Sequence, residues 1–178
     1  NELCYISVGD QKLLAEVIKV GGDKASVQVF ESTRGLKNGN DVEFLGKMLE
    51  ATLGPGLLSG IYDGLQNNLR TMQGVFLKRG EYTDPLDREA LWDFTPIAKP
   101  GDTVIAADWL GEVKEGWLPH KIMVPFSFRG EYTVKSVAPE GSYTVDQTIA
   151  VLTGPDGEDV PVTMTQKWPV KVAIKAYK

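Results

Sequence analysis

The sequence of 178 residues has little cysteine and histidine, two side chains that proteins often use to bind metals. It contains one cysteine, Cys4, and one histidine, His120. Disulfides within the chain and metal sites built on cysteines or paired histidines are therefore excluded. A Ser-His-Asp triad could form only through His120, which we interpret as a structural residue because it lies between Pro119 and Lys121 at a predicted strand start.

Long apolar runs and an excess of basic charge are also lacking. No run approaches the roughly 18 apolar residues of a membrane-spanning helix, and no signal peptide is recognisable. The formal net charge of −5 argues against a general nucleic-acid binder. These features, with the single cysteine, predict a cytoplasmic protein without nucleic-acid partners.

Glycine and proline are plentiful instead, with 19 and 10 copies spread between short runs rich in Val, Ile and Thr. This texture predicts a mainly β protein. Residues 13–20 and 24–30 flank Gly21-Gly22-Asp23, as in a β-hairpin, and residues 42–44 begin a further strand. We expect residues 1–50 to form an incomplete N-terminal β-barrel that lacks its first strand.

Residues 51–71 are predicted to form a linker with a short helix. Gly54-Pro55-Gly56 indicates a rigid turn. The apolar residues that follow recur at helical spacing with Ser59 as a candidate N-cap. A second short helix is predicted over residues 84–92, where Asp84 precedes Pro85 at the first helical position.

Residues 72–166 are predicted to form an insertion domain of two similar β-rich halves, centred on residues 101–113 and 130–152. The pattern resembles the barrel-sandwich fold of biotinyl and lipoyl carrier domains. Those domains display a modified lysine on a hairpin after the first half, and Trp117 occupies that position here. The resemblance therefore implies the fold without the carrier chemistry.

Motifs for phosphate binding and acid–base catalysis are not recognisable. The nearest string to a P-loop runs from Gly39 to Gly46-Lys47-Met48, which has the wrong spacing and no hydroxyl. The carboxylate pairs Asp84/Asp87 and Asp102/Asp108 fit capping and turn roles. We predict no catalytic, cofactor-binding or metal-binding residue in the chain.

Several motifs together identify a family resemblance. Residues 53–66 (LGPGLLSGIYDGLQ) resemble a segment of the catalytic A subunit of vacuolar and archaeal-type rotary ATPases. Further segments match in family order; they are residues 9–18, 28–36 (QVFESTRGL), 85–88 (PLDR), 92–96 (WDFTP), 120–125 (HKIMVP) and 164–170 (MTQKWPV). The resemblance implies an N-terminal barrel followed by the non-homologous, or bulge, region of that subunit.

The resemblance also implies a role. The chain would be an excised, non-catalytic portion, with residues 167–178 starting the nucleotide-binding domain that holds Mg-ATP in the parent. Implied partners are the B subunits and the peripheral stalk, with only indirect membrane association. Aromatic residues near predicted hairpin tips are the candidate partner contacts: Trp109, Trp117, Phe126 and Phe128. The alternative is a free-standing barrel-sandwich binding module that lacks the carrier lysine.

Overall fold

A computed structural model describes residues 1–71, 79–80 and 82–175. Within these ranges the chain forms fourteen strands and no helix, which confirms the mainly β prediction. No helix long and apolar enough to cross a membrane occurs in the same ranges. The strands are β1 (Leu3–Val8), β2 (Gln11–Gly21), β3 (Lys24–Val29), β4 (Val42–Phe44), β5 (Glu50–Leu53), β6 (Leu91–Pro96), β7 (Thr103–Val104), β8 (Trp109–Glu115), β9 (Leu118–Met123), β10 (Tyr132–Val137), β11 (Gly141–Thr144), β12 (Ala150–Thr153), β13 (Asp159–Val162) and β14 (Gln166–Pro169).

The chain divides into two compact units. Unit 1 comprises Asn1–Ala51, Thr71–Thr83 and Pro169–Lys171. Unit 2 comprises Thr52–Arg70, Asp84–Trp168 and Val172–Lys178. The domain boundaries drawn from the sequence, at residues 1–50, 51–71, 72–166 and 167–178, stay predictions.

Unit 1 is built on an open, antiparallel four-stranded sheet in the order β3-β2-β1-β4. The predicted hairpin is confirmed, since β2 and β3 pair around a turn in which Gly22 has a φ of 61°. A small apolar cluster forms on one sheet face around the buried residues Cys4, Ile6 and Ala15. The sheet does not close on itself, as an incomplete barrel requires. The strand β1 was not predicted.

An ion pair on a buried glutamate connects the C-terminal part of unit 1 to the inner strand β2. The Glu16 side chain is only 6% exposed, and both of its oxygens lie 2.7 Å from Lys171 Nζ. The neighbouring amide of Val170 donates to the carbonyl of Leu49 at 2.9 Å. Because a buried carboxylate without a partner is costly, we expect Lys171 to stabilise unit 1.

Unit 2 contains two four-stranded sheets, ordered β11-β6-β8-β9 and β13-β12-β10-β7. Both contribute to one apolar core that includes Phe94, Leu110, Val134 and Leu152. Gly111 is required there, because an added Cβ would lie 2.2 Å from the Phe94 ring. This pair of sheets with a shared core agrees with the predicted barrel-sandwich architecture.

The helix predicted over residues 84–92 is wrong. Asp84 Oδ1 accepts from the amide of Leu86 at 2.9 Å, and Asp87 Oδ1 accepts from the amide of Glu89 at 3.0 Å. Such local hydrogen bonds from aspartate to the second residue on compete with helical bonds. The segment therefore forms successive bends, and Leu91 begins the strand β6.

The helix predicted after Gly56 is also wrong. Residues 57–66 form turns. The apolar side chains that the predicted helix would bury on one face do not share the same burial. Leu58 and Ile61 are 64% and 56% exposed, and Ser59 caps no helix. Gly60 and Gly64 interrupt a run that is too short to be helical without tertiary support.

Replacing Lys171 by methionine should weaken unit 1 locally, because the Glu16 carboxylate would stay buried without its cation. Lys171 is 47% exposed at the side chain, so we expect a loss of about 1–2 kcal/mol, less than for a fully buried pair. Amide hydrogen exchange in β2 should accelerate about 5- to 30-fold.

Lys24→Met is the matched control, since it removes one lysine charge from the exposed end of the β2–β3 hairpin. Its β2 amides should exchange like those of the wild-type chain. The double variant Glu16→Gln/Lys171→Met should recover part of the loss. Equal exchange in Lys171→Met and Lys24→Met would contradict the structural role of the pair.

Candidate interaction surface

Trp117 lies at the tip of the β8–β9 hairpin. Glu115 pairs with Leu118, so Gly116 and Trp117 alone form the connection. Gly116 has a φ of 63°, a left-handed conformation that glycine adopts without strain. Trp117 is 89% exposed, the most exposed large apolar side chain among the described residues. The hairpin therefore presents an indole ring to solvent.

A cleft of about 350 Å³ lies beside Trp117 on unit 2. Its walls mix polar, charged and apolar side chains; they are Asp93, Thr95, Glu112, Val113, Lys114, Trp117 and Pro119. An exposed aromatic ring beside polar side chains is the composition expected of a partner-binding surface.

Trp109 marks the other end of β8 and is 47% exposed. The ammonium of Lys121 lies 4.8 Å from the centre of its ring, and the same ammonium pairs with Glu112. The cation contacts one face of the indole, and about half of the side chain stays exposed to solvent. The strand β8 thus carries an exposed tryptophan at its start and another just beyond its end.

Phe126 and Phe128 are placed differently from the two tryptophans. The Phe126 ring packs edge-on against Trp168 at 5.8 Å, and its amide donates to Gln166 Oε1 at 2.9 Å. Phe128 lies 4.7 Å from the Tyr132 ring and packs against the core of unit 2. Both rings are half-buried, so the two tryptophans are the exposed members of the four candidates.

The buried carboxylate of Glu115 fixes the base of this hairpin. Its side chain is 6% exposed. Oε1 accepts from the amides of Gly56 and Leu58 at 2.7 and 3.1 Å, and Oε2 lies 2.6 Å from His120 Nδ1. The only histidine of the chain therefore pairs with a buried carboxylate, and its interpretation as a structural residue stays a prediction.

Glu115 was not singled out from the sequence, although a signal was present. It lies two residues after Val113, which is buried in the core, and side chains two apart on a strand share a face. A glutamate at an inward-facing position needs hydrogen-bond partners. The amides of the Gly-Pro-Gly turn, which no regular structure satisfies, supply them.

Two more side chains hold the rest of this loop. Gln66 has a φ of 65°. Its side-chain amide accepts from Thr52 N through Oε1 at 2.8 Å and donates to Thr52 O through Nε2 at 2.7 Å. Asp63 accepts from the amides of Leu65 and Asn67. Burial alone would raise the pKa of Asp63, but these bonds and one from the Asn67 side chain outweigh it and lower the pKa.

Replacing Glu115 by glutamine should loosen the Gly-Pro-Gly turn without unfolding unit 2. The neutral acceptor forms weaker hydrogen bonds than the carboxylate. We expect the amides of Gly56 and Leu58 to exchange about tenfold faster. Glu112→Gln is the matched control, because Glu112 lies on the same strand and pairs with Lys121 instead. Unchanged exchange at Gly56 in Glu115→Gln would contradict the anchoring role.

Comparison with known proteins gives two family matches. Residues 83–171, half of the chain, match the barrel-sandwich domain of the ATP synthase alpha/beta subunits. Residues 1–46 match the β-barrel domain of the same family. The chain belongs to the ATP synthase alpha/beta family.

Similar proteins within the family include V-type ATP synthase alpha chains. The chain is 53% identical over 180 residues to that of Treponema denticola, 48% over 181 residues to that of Borrelia recurrentis, and 49% over 175 residues to that of Chlamydia caviae. These alignments cover 99%, 100% and 97% of the chain but only 31%, 31% and 30% of the relatives. The chain thus spans about a third of the length of the relatives it matches.

Proposed function

We propose that this chain is a non-catalytic portion of the alpha (A) subunit of a V/A-type ATP synthase, and that it serves assembly of the catalytic head and contact with the peripheral stalk. The observation that carries the proposal is the nearly complete exposure of Trp117 at a well-anchored hairpin tip. Tryptophan is enriched among the residues that dominate binding energy at protein interfaces. An indole held in water on a rigid hairpin loses little conformational entropy when a partner covers it.

The partners are B subunits and stalk subunits of the same complex. That complex couples ATP hydrolysis or synthesis to proton or sodium transport, and this chain would take part from the cytoplasmic side, peripheral to the membrane. Mg-ATP would be bound by the parent subunit outside these residues. Support comes from the relatives, which are named as alpha chains of V-type ATP synthases.

Mg-ATP should not bind this chain tightly, because its sequence has no P-loop motif, the motif that supplies a cradle of backbone amides and lysine for the phosphates. Calorimetric titration with Mg-ATP should give no saturable heat at concentrations below roughly 1 mM. A V-type alpha chain that includes its P-loop is the positive control. A sub-millimolar dissociation constant for this chain would contradict the non-catalytic assignment.

Replacing Trp117 by alanine in the parent alpha chain should weaken assembly while leaving the fold intact. The ring is 89% exposed, so its loss removes little packing. If it anchors a partner, truncation should cost about 2 kcal/mol or more, which is roughly a 30-fold loss of affinity for the stalk. ATP hydrolysis by the isolated catalytic head should stay nearly unchanged.

Ile105→Ala is the matched control, since Ile105 is 50% exposed on unit 2 and lies outside the proposed surface. Circular dichroism and thermal unfolding of this chain separate folding from binding. Unfolding of Trp117→Ala would show that the ring is needed for stability. Normal assembly of a folded Trp117→Ala subunit would exclude Trp117 as an anchor.

A further inference from the structure

The strand β4 lies at an open edge of the unit 1 sheet and pairs only with β1. At one end of it the carbonyl of Asp41 accepts from the amide of Ser7 on β1 at 2.9 Å, and at the other end the amide of Leu45 donates to β1 at 2.9 Å. In an antiparallel pair the backbone groups of alternate residues face the partner strand. The backbone groups of Val42 and Phe44 therefore face away from the sheet, and no described residue bonds to them.

Two apolar side chains accompany these unpaired backbone groups. Val42 and Phe44 are both exposed. They lie opposite Ile6 and Cys4 of β1, which belong to the buried apolar cluster of unit 1. Residues directly opposite each other on paired strands share a sheet face. The apolar face of the sheet thus reaches the β4 edge and is exposed to solvent there.

The other open edge of this sheet, β3, has a different composition. It carries Lys24 and the exposed polar residues Ser26 and Gln28. Charged and polar side chains on an edge strand oppose pairing with another chain. The apolar residues Val27 and Val29 of β3 pack against the buried cluster instead. Of the two edges, β4 is therefore the one with large apolar side chains in solvent.

Glu43 is the charged residue of β4, and its charge is neutralised within the chain. Its side chain lies on the sheet face opposite to that of its two neighbours, because successive side chains of a strand alternate. The carboxylate oxygen Oε2 is 2.8 Å from Lys12 Nζ. A charge on an edge strand normally repels an identical strand. The ion pair with Lys12 weakens that repulsion.

Two copies of β4 can pair in an antiparallel register that uses every outward backbone group. With Glu43 opposite Glu43 of the second copy, Val42 lies opposite Phe44 of the second copy. Each Val42–Phe44 pair would exchange both of its backbone hydrogen bonds, and the Glu43 pair would be the one without hydrogen bonds. A β-branched side chain opposite an aromatic ring is a stabilising cross-strand pair. The edge is therefore complementary to itself.

We propose that the β4 edge is an interaction surface for a second copy of this chain. The two β4 strands pair about Glu43 and join the two unit 1 sheets, and the side chains of Val42 and Phe44 cover those of the second copy. The contact is small, so the dimer is weak, with a dissociation constant on the order of 100 μM. This surface belongs to unit 1 and does not depend on Trp117.

Sedimentation velocity of this chain between about 20 μM and about 1 mM should show a concentration-dependent shift from monomer to dimer. Val42→Lys places a charge on the edge and should weaken the dimer about tenfold or more. Val20→Lys is the matched control, because Val20 is also exposed but lies on β2, which β1 separates from β4. It should dimerise like the wild-type chain, and circular dichroism should show that both variants are folded.

Two further measurements test the register. Rising protein concentration should slow exchange of the Val42 and Phe44 amides, whereas the Leu45 amide, already bonded to β1, should not change. Glu43→Cys should give a disulfide-linked dimer on mild oxidation, because opposite Cα atoms of a pair without hydrogen bonds lie about 4.5 Å apart. Gln28→Cys, on the β3 edge, is its control and should form far less linked dimer.

A chain that stays monomeric at about 1 mM would overturn the proposal. Dimerisation of Val42→Lys equal to that of the wild-type chain, or an equal loss in Val20→Lys, would do the same. Slow exchange of the Val42 and Phe44 amides at every concentration would mean that the same chain covers the edge, which excludes a second copy. Equal linkage of Glu43→Cys and Gln28→Cys would exclude β4 as the specific contact.

Discussion

The candidate surface of unit 2 depends on the hydrogen bonds that the buried Glu115 carboxylate forms. A glutamate buried to this degree is tolerated only when its oxygens are hydrogen-bonded. Here they are met by Gly56, Leu58 and His120. The same bonds satisfy two amides of a turn that belongs to no helix or strand. One side chain therefore fixes both the Gly-Pro-Gly turn and the base of the hairpin that carries Trp117.

A comparable arrangement occurs in unit 1. Glu16 is buried on the central strand β2, and its partner Lys171 comes from 155 positions later in the chain. In both units a buried glutamate on a strand binds a residue from a segment of irregular backbone. Apolar packing has no direction, whereas a carboxylate accepts from only a few donors at defined positions. The contacts of these glutamates therefore select the conformation of the segment that packs on each sheet.

The sequence predicted the strands better than the turns, for a physical reason. Alternating apolar residues mark a half-buried strand directly, as in β3 and β10. The segment after Asp84 carries helix-start residues, yet its aspartates bond to nearby amides and form bends instead. Local patterns could not reveal this choice, because it depends on competition between two uses of the same side chain.

The candidate surface was predictable in part. Trp117 stood out because it occupies the hairpin position that carrier domains give to a modified lysine, and the structure places it in solvent. Phe126 and Phe128 are also bulky aromatic residues near predicted hairpin tips, but the rings of Trp168 and Tyr132 pack against them. Distinguishing the two pairs required knowing which distant rings pack nearby, which no spacing along the chain encodes.

The hairpin tip also explains why an aromatic ring suits this position. Here Glu115, at the last position of β8, is fixed by three hydrogen bonds directly before the tip. A ring on a rigid support gains affinity from buried area with little loss of conformational entropy. The anchored base and the exposed ring therefore support the proposed partner contact through Trp117.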